Sequence, residues 1–147
     1  MARGYLNYYP GMLTNEAQIW EAFMAAHPGL VVSPEYNVRI GVGMDPGPTF
    51  TADVRRMAIL NSQLRLDVVA GDGKGGFTIY EVKQRCRAGA VGQLLQYKIL
   101  YLDDFPQNQP LSLAIVTDLP TLNLDRLCAA HGITLYVQPV LFSPPSA

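Results

Sequence analysis

Apolar residues in this chain recur with two distinct periods, and the alternation between them outlines the elements. Ile19, Trp20, Phe23 and Met24 follow the 3.6-residue spacing of a helix, so residues 14–26 read as helical. Thr14 serves as the expected N-cap and His27-Pro28-Gly29 as the stop. Leu30–Val32 and Tyr36–Val42 read as strand, interrupted at Pro34, and Gly43–Pro48 as a loop. Residues 51–61 fit either a helix, through Val54, Met57, Ala58 and Leu60, or an extended segment. Leu64–Ala70 and Phe77–Lys83 are strands joined by the glycine-rich connection Gly71–Gly76, whose glycines supply the positive φ of a tight hairpin.

A helix follows over Ala90–Leu102, with Val91, Leu94, Leu95, Ile99 and Leu102 on one side. Leu111–Val116 is a buried strand, Leu122–Ala130 a short helix ended by Gly132, and Ile133–Val137 a last strand. Hairpin-joined strands beside a strand–helix–strand crossover predict an α/β fold, a central mixed β-sheet flanked by helices on both faces. Residues 1–13 read either as a loose aromatic arm or as a dimer contact, and residues 143–147 as a frayed tail. A length of 147 residues fits one domain over 1–147.

Composition narrows the class. The chain is 49% hydrophobic with a formal net charge of −1, an ordinary globular balance that neither demands nor excludes nucleic acid. No apolar run is long enough to span a bilayer, so no membrane partner is expected. With no signal-peptide pattern at the N-terminus, the expected compartment is cytoplasmic. Cys86 and Cys128 form no metal-ligand motif and read as reduced thiols. The cations cluster in the middle third: Arg55, Arg56, Arg65, Lys74, Lys83, Arg85, Arg87 and Lys98.

Three polar residues stand inside apolar strands, where unpaired charge is unfavourable. Asp67 lies in the first hairpin strand. Glu81 and Lys83 lie two apart in the second, and so face the same side. On the first strand Arg65, Asp67 and Val69 share one face, Leu66 and Val68 the other. The hairpin brings Asp67 towards Glu81 and Lys83. Two carboxylates and an ammonium on one patch suit a divalent, oxygen-loving cation and a phosphodiester: the carboxylates hold Mg²⁺ or Mn²⁺, and Lys83 orients water or balances transition-state charge. Their alternative is a surface ion pair.

Other residues join this patch on weaker grounds. Glu16 falls near the centre of the first helix's apolar stripe, and Glu21 falls off it. Glu16 either supports the site or favours the helix N-terminus. Gln93 and Tyr97, four apart on a helix, either orient a carboxylate or touch phosphate, or sit at the edge of the core.

Arg65-Leu66-Asp67-Val68-Val69, Tyr80-Glu81-Val82-Lys83 and Gln93-Leu94-Leu95-Gln96-Tyr97, in this order and spacing, resemble the PD-(D/E)XK nuclease superfamily. The similarity covers roughly residues 14–116 and is greatest to its RecB-like, NucS-like and archaeal Holliday-junction-resolvase branches. It implies a restriction-endonuclease-like αβββαβ core and hydrolysis of DNA phosphodiesters with Mg²⁺ or Mn²⁺. The expected metal ligands are Asp67, Glu81 and the Val82 carbonyl. Lys83 and Glu16 complete the catalytic set, and Gln93 and Tyr97 support it. Arg55, Arg56, Arg65, Lys74, Arg85, Arg87 and Lys98 are candidate contacts to the DNA backbone. The target is structure- or end-directed, of repair or recombination type, since so small a domain has little room for base reading. Pairing into a homodimer is also implied. The alternative is a catalytically silent module that binds nucleic acid or protein on the same fold.

Overall fold

A computed structural model describes residues 9–144. The expectations for residues 1–8 and 145–147 lie outside the described residues. Nine elements run in the order α1 (Thr14–Ala26), β1 (Val32–Ile40), α2 (Ala52–Ser62), β2 (Leu64–Gly71), β3 (Phe77–Lys83), α3 (Gly89–Asp104), β4 (Leu111–Thr117), α4 (Leu124–Ala130) and β5 (Ile133–Val137). The five strands form one sheet in sequence order. β1, β2 and β3 pair antiparallel; β3, β4 and β5 pair parallel, through crossovers carried by α3 and α4. This is the expected mixed, helix-flanked α/β sheet.

Each face of the sheet has its own core. On one, Ile19, Trp20 and Phe23 of α1 pack on Val68, Ala70, Tyr80, Val82, Ala114 and Val116. On the other, Ala90, Val91, Leu94, Tyr97 and Tyr101 of α3, with Leu124 and Cys128 of α4, pack on Val69, Ile79, Leu113 and Ile115. Trp20 is fully buried, and its Nε1–H donates to the Tyr36 hydroxyl at 3.0 Å. Trp20→Ala is expected to cost about 3–5 kcal/mol, through the cavity it leaves and the lost partner of Tyr36. Urea unfolding followed by circular dichroism measures it.

Several local expectations are corrected. The N-cap of α1 is Leu13, one residue before Thr14, and Glu16 Oε1 accepts its N–H at 3.1 Å. Residues 32–40 form one edge strand, with Pro34 in a register shift between Val32 and Glu35; an edge tolerates the missing N–H. Residues 52–62 are helical, capped by Thr51, yet none of them is buried. On α3 the buried stripe runs through Ala90, Val91, Leu94, Tyr97 and Tyr101, and Ile99 is exposed. At the ends of the described residues, Tyr9 packs on Tyr36 with ring centroids 5.2 Å apart, and Ser143 exchanges two hydrogen bonds with Gln18.

One irregularity places the site. Side chains of equal parity on β1 and β2 should share a face, yet Tyr36 and Val68 join the α1 core while Val38, Ile40 and Leu66 join the α3 core. The switch falls at Asn37, whose φ is +54°, across the ladder from Asp67. Asparagine tolerates that left-handed conformation better than most residues. There the β1–β2 ribbon twists away from β3, and the β2–β3 ladder ends at Val68–Tyr80.

Candidate active site

Where β2 leaves β3, the side chain of Asp67 takes over from the backbone ladder. Its Oδ2 accepts the Val82 N–H at 2.8 Å. Asp67 is half-buried and Glu81 is 5% exposed. Both carboxyls are strongly perturbed. Burial pushes Glu81 up to about 8, assisted by the negative charge of Asp67 and by a hydrogen bond between the two, with Glu16 adding to the rise and Lys83 opposing it. Burial also lifts Asp67 to about 6, against the lowering effect of the Val82 N–H. Burial and mutual repulsion thus favour the protonated form of the pair.

Glu16 contributes to the rise of both acids, so it lies in their field. Its Oε1 accepts the Leu13 N–H, as the helix-N-terminus reading expects. Glu21 instead accepts from the Tyr9 hydroxyl at 3.4 Å. Tyr97 is buried, and after burial itself the charges of Glu81 and Asp67 are what raise its hydroxyl. Gln93 is exposed and lines an open cleft of about 360 Å³ with Lys83, Gln84, Arg85 and Arg87. The structure thus sets Asp67 beside Glu81 with Lys83 close by, leaves Glu16 and Tyr97 within electrostatic reach of the pair, and places Gln93 in the cleft that Lys83 also lines.

The candidate DNA contacts do not behave alike. Arg55 pairs with Asp45 through two hydrogen bonds, at 3.0 and 2.6 Å, and Arg56 pairs with Asp53 at 2.7 Å. Each guanidinium thus already has a carboxylate partner within the protein. Lys74 sits at the hairpin tip, beyond Phe77 at the far end of β3 from Lys83. Seven residues of strand separate those ends, about 20 Å, too far for one phosphate. Arg65, Arg85, Arg87 and Lys98 are exposed.

Sequence reasoning missed the supports of the segment after Lys83. Asp118 Oδ1 accepts the Arg85 N–H at 2.8 Å, and buried Thr117 Oγ1 accepts the Cys86 N–H at 3.2 Å. Asn15 Nδ2 donates to Gln84 Oε1 at 3.2 Å, tying the first turn of α1 to this segment. Polar residues at the end of the apolar β4 run were the available signal, but their partners lie over thirty positions away.

Two carboxyls forced together with no fixed cation form a donor set that fits a hard divalent ion, which takes oxygen ligands and retains open positions. Among the described residues no group of three or more His, Cys, Asp or Glu side chains converges, and the buried Cys86 thiol is pushed up to about 12.

No family model matches the chain, and no curated protein is significantly similar to it. Solved structures do resemble it. A repair endonuclease from Pyrococcus abyssi superposes with a TM-score of 0.53 at 16% identity, over 84% of this chain and 46% of its own. EndoMS in a dsDNA complex superposes with a TM-score of 0.50 at 18% identity, over 92% of this chain and 50% of its own. No helix among the described residues is long and apolar enough to cross a membrane. The chain shares the fold of these two proteins and spans about half the length of each.

Proposed function

We propose that this chain hydrolyses phosphodiester bonds in DNA with Mg²⁺ or Mn²⁺, in structure- or end-directed cleavage of repair or recombination type. One observation carries the reading: Asp67 and the almost fully buried Glu81 stand on neighbouring strands at the fork of the sheet, with the Asp67 carboxylate held on the Val82 N–H and Lys83 on the same face as Glu81. The shared fold with a repair endonuclease and with EndoMS, which is seen with dsDNA, supports it. So does the resemblance of the Asp67, Glu81-Val82-Lys83 and Gln93–Tyr97 segments to PD-(D/E)XK nucleases.

In this reading Asp67 and Glu81 hold the cation, joined by the Val82 carbonyl. The Val82 N–H keeps the Asp67 carboxylate aimed. When bound, the ion supplies Lewis-acid activation of the phosphodiester. Lys83 orients the attacking water and balances charge gathering on the phosphoryl oxygens. Glu16 keeps a negative charge at the rim. Tyr97 supports the pair from the α3 core, and Gln93 meets the substrate from the cleft it lines.

The test is a panel of end-labelled single-stranded, duplex, flapped and four-way-branched DNA, incubated with Mg²⁺, Mn²⁺ or EDTA. Metal-dependent cleavage of at least one of them is the expected result. Binding without cleavage in every metal identifies a silent module.

A further inference from the structure

We propose that the cleft between the end of β3 and the first turns of α3 is a subsite for a single nucleotide, gripping a backbone phosphate next to the bond that is cut. This rests on the nuclease reading and narrows it to particular residues. The cleft measures about 360 Å³, room for one nucleotide-sized group, and Lys83 joins it to the acid pair.

Arg85 and Arg87 line it. Both are exposed, and among the described residues neither side chain enters an ion pair, whereas Arg55 and Arg56 do. Their backbone is nevertheless fixed. The Arg85 N–H is held by Asp118, the Cys86 N–H by Thr117, and the Cys86 carbonyl accepts the Thr121 N–H at 3.0 Å. Arg85 itself holds a φ of +50°, which is unfavourable for a non-glycine residue. A rigid base carrying uncommitted guanidiniums is pre-organised for an external anion, and guanidinium matches phosphate in a two-point contact.

The wall opposite is glycine. Gly89, the first residue of α3, lines the cleft at a conformation any residue adopts, and no atom lies within 4 Å of where its Cβ would stand; Gly92, one turn on, is equally open. A glycine inside a helix, as Gly92 is, is less favourable there than alanine. Nothing within the protein requires either. A bare helix surface lets a sugar–phosphate chain approach more closely than any side chain would permit, and Gln93 beside it offers an amide donor.

Thymidine 3′,5′-bisphosphate, titrated calorimetrically in EDTA, tests the subsite without catalysis. Arg85→Ala with Arg87→Ala is expected to weaken binding by about tenfold or more, and Arg55→Ala with Arg56→Ala by less than about twofold. Gly89→Ala is expected to weaken binding while leaving Tm equal or higher, which a purely structural glycine would not do. Absence of bisphosphate binding to the unsubstituted protein, binding indifferent to Arg85 and Arg87, or equal competition by inorganic phosphate overturns the subsite. The two readings separate cleanly. Metal-dependent cleavage with an unchanged KM in the Arg85/Arg87 variant removes the subsite alone. Bisphosphate binding through these arginines in a protein that cuts no DNA removes the nuclease alone.

Discussion

Glu81→Gln is expected to lower metal-dependent DNA cleavage by on the order of 10³-fold or more, and at the same time to stabilise the metal-free protein. The two effects share one cause. Glu81 is almost fully buried beside a second carboxyl, and the fold tolerates it only by keeping a proton on the pair. The amide keeps the shape and can donate to Asp67, but it carries no charge with which to hold a cation. Strain between the acids is relieved and the ion is lost, the usual opposition of stability and activity at a functional site. Lys83→Ala is expected to lower cleavage by roughly 10²–10³-fold without raising Tm, because a cation opposing the acid pair is removed. Single-turnover cleavage rates and thermal melts of the same preparations measure both. Cleavage by the Glu81→Gln protein at the unsubstituted rate would show that the reaction occurs elsewhere.

The second large effect is a pH dependence that divalent metal reverses. Asp67 rises from 3.8 to about 6 on folding and Glu81 from 4.5 to about 8. In this range the folded state binds more protons than the unfolded one, so stability falls as pH rises. The contribution is complete below about pH 4 and is lost as pH passes through 6 towards 8. Asp45, held near 2 by Arg55 and the Gly47 N–H, and Asp72, lowered by the N–H groups of its own turn, act with the opposite sign. Their contributions fade only as pH drops below about 4, outside the window. In EDTA, Tm is therefore expected to be several degrees lower at pH 8 than at pH 5. Saturating Mn²⁺ or Mg²⁺ binds the ionised pair and raises Tm at pH 8 far more than at pH 5. Glu81→Gln abolishes most of both responses. A flat profile in EDTA, unaffected by metal, would sink the shared-proton site.

The strands that bear the acids, the glycine turn between them, and the helix with Gln93 and Tyr97 were all legible from local pattern. Strand side chains alternate with a period of two wherever a strand exists, so Glu81 and Lys83 had to share a face. The mixed sheet followed from which connections were short and which carried a helix. These features depend on residues within a few positions of one another.

Other features were invisible because they depend on residues far apart in the chain. Leu66 and Val68 were expected on one face and pack into opposite cores, because Asn37 turns the ribbon between them. Ile99 fitted the apolar stripe of α3 but lies outside the arc that the sheet covers. Arg55 meets Asp45, ten positions earlier, only once the chain folds. Thr117 and Asp118 support the segment after Lys83 from the neighbouring strand. By itself the sequence determined where most of the strands and helices lie and that Glu81 and Lys83 share a face. Tertiary structure alone decided that Asp67 reaches the Val82 N–H, which cations remain uncommitted, and how strongly the acids are coupled. Charge interactions and desolvation depend on distance through space, and distances between elements exist only once the sheet has closed and twisted.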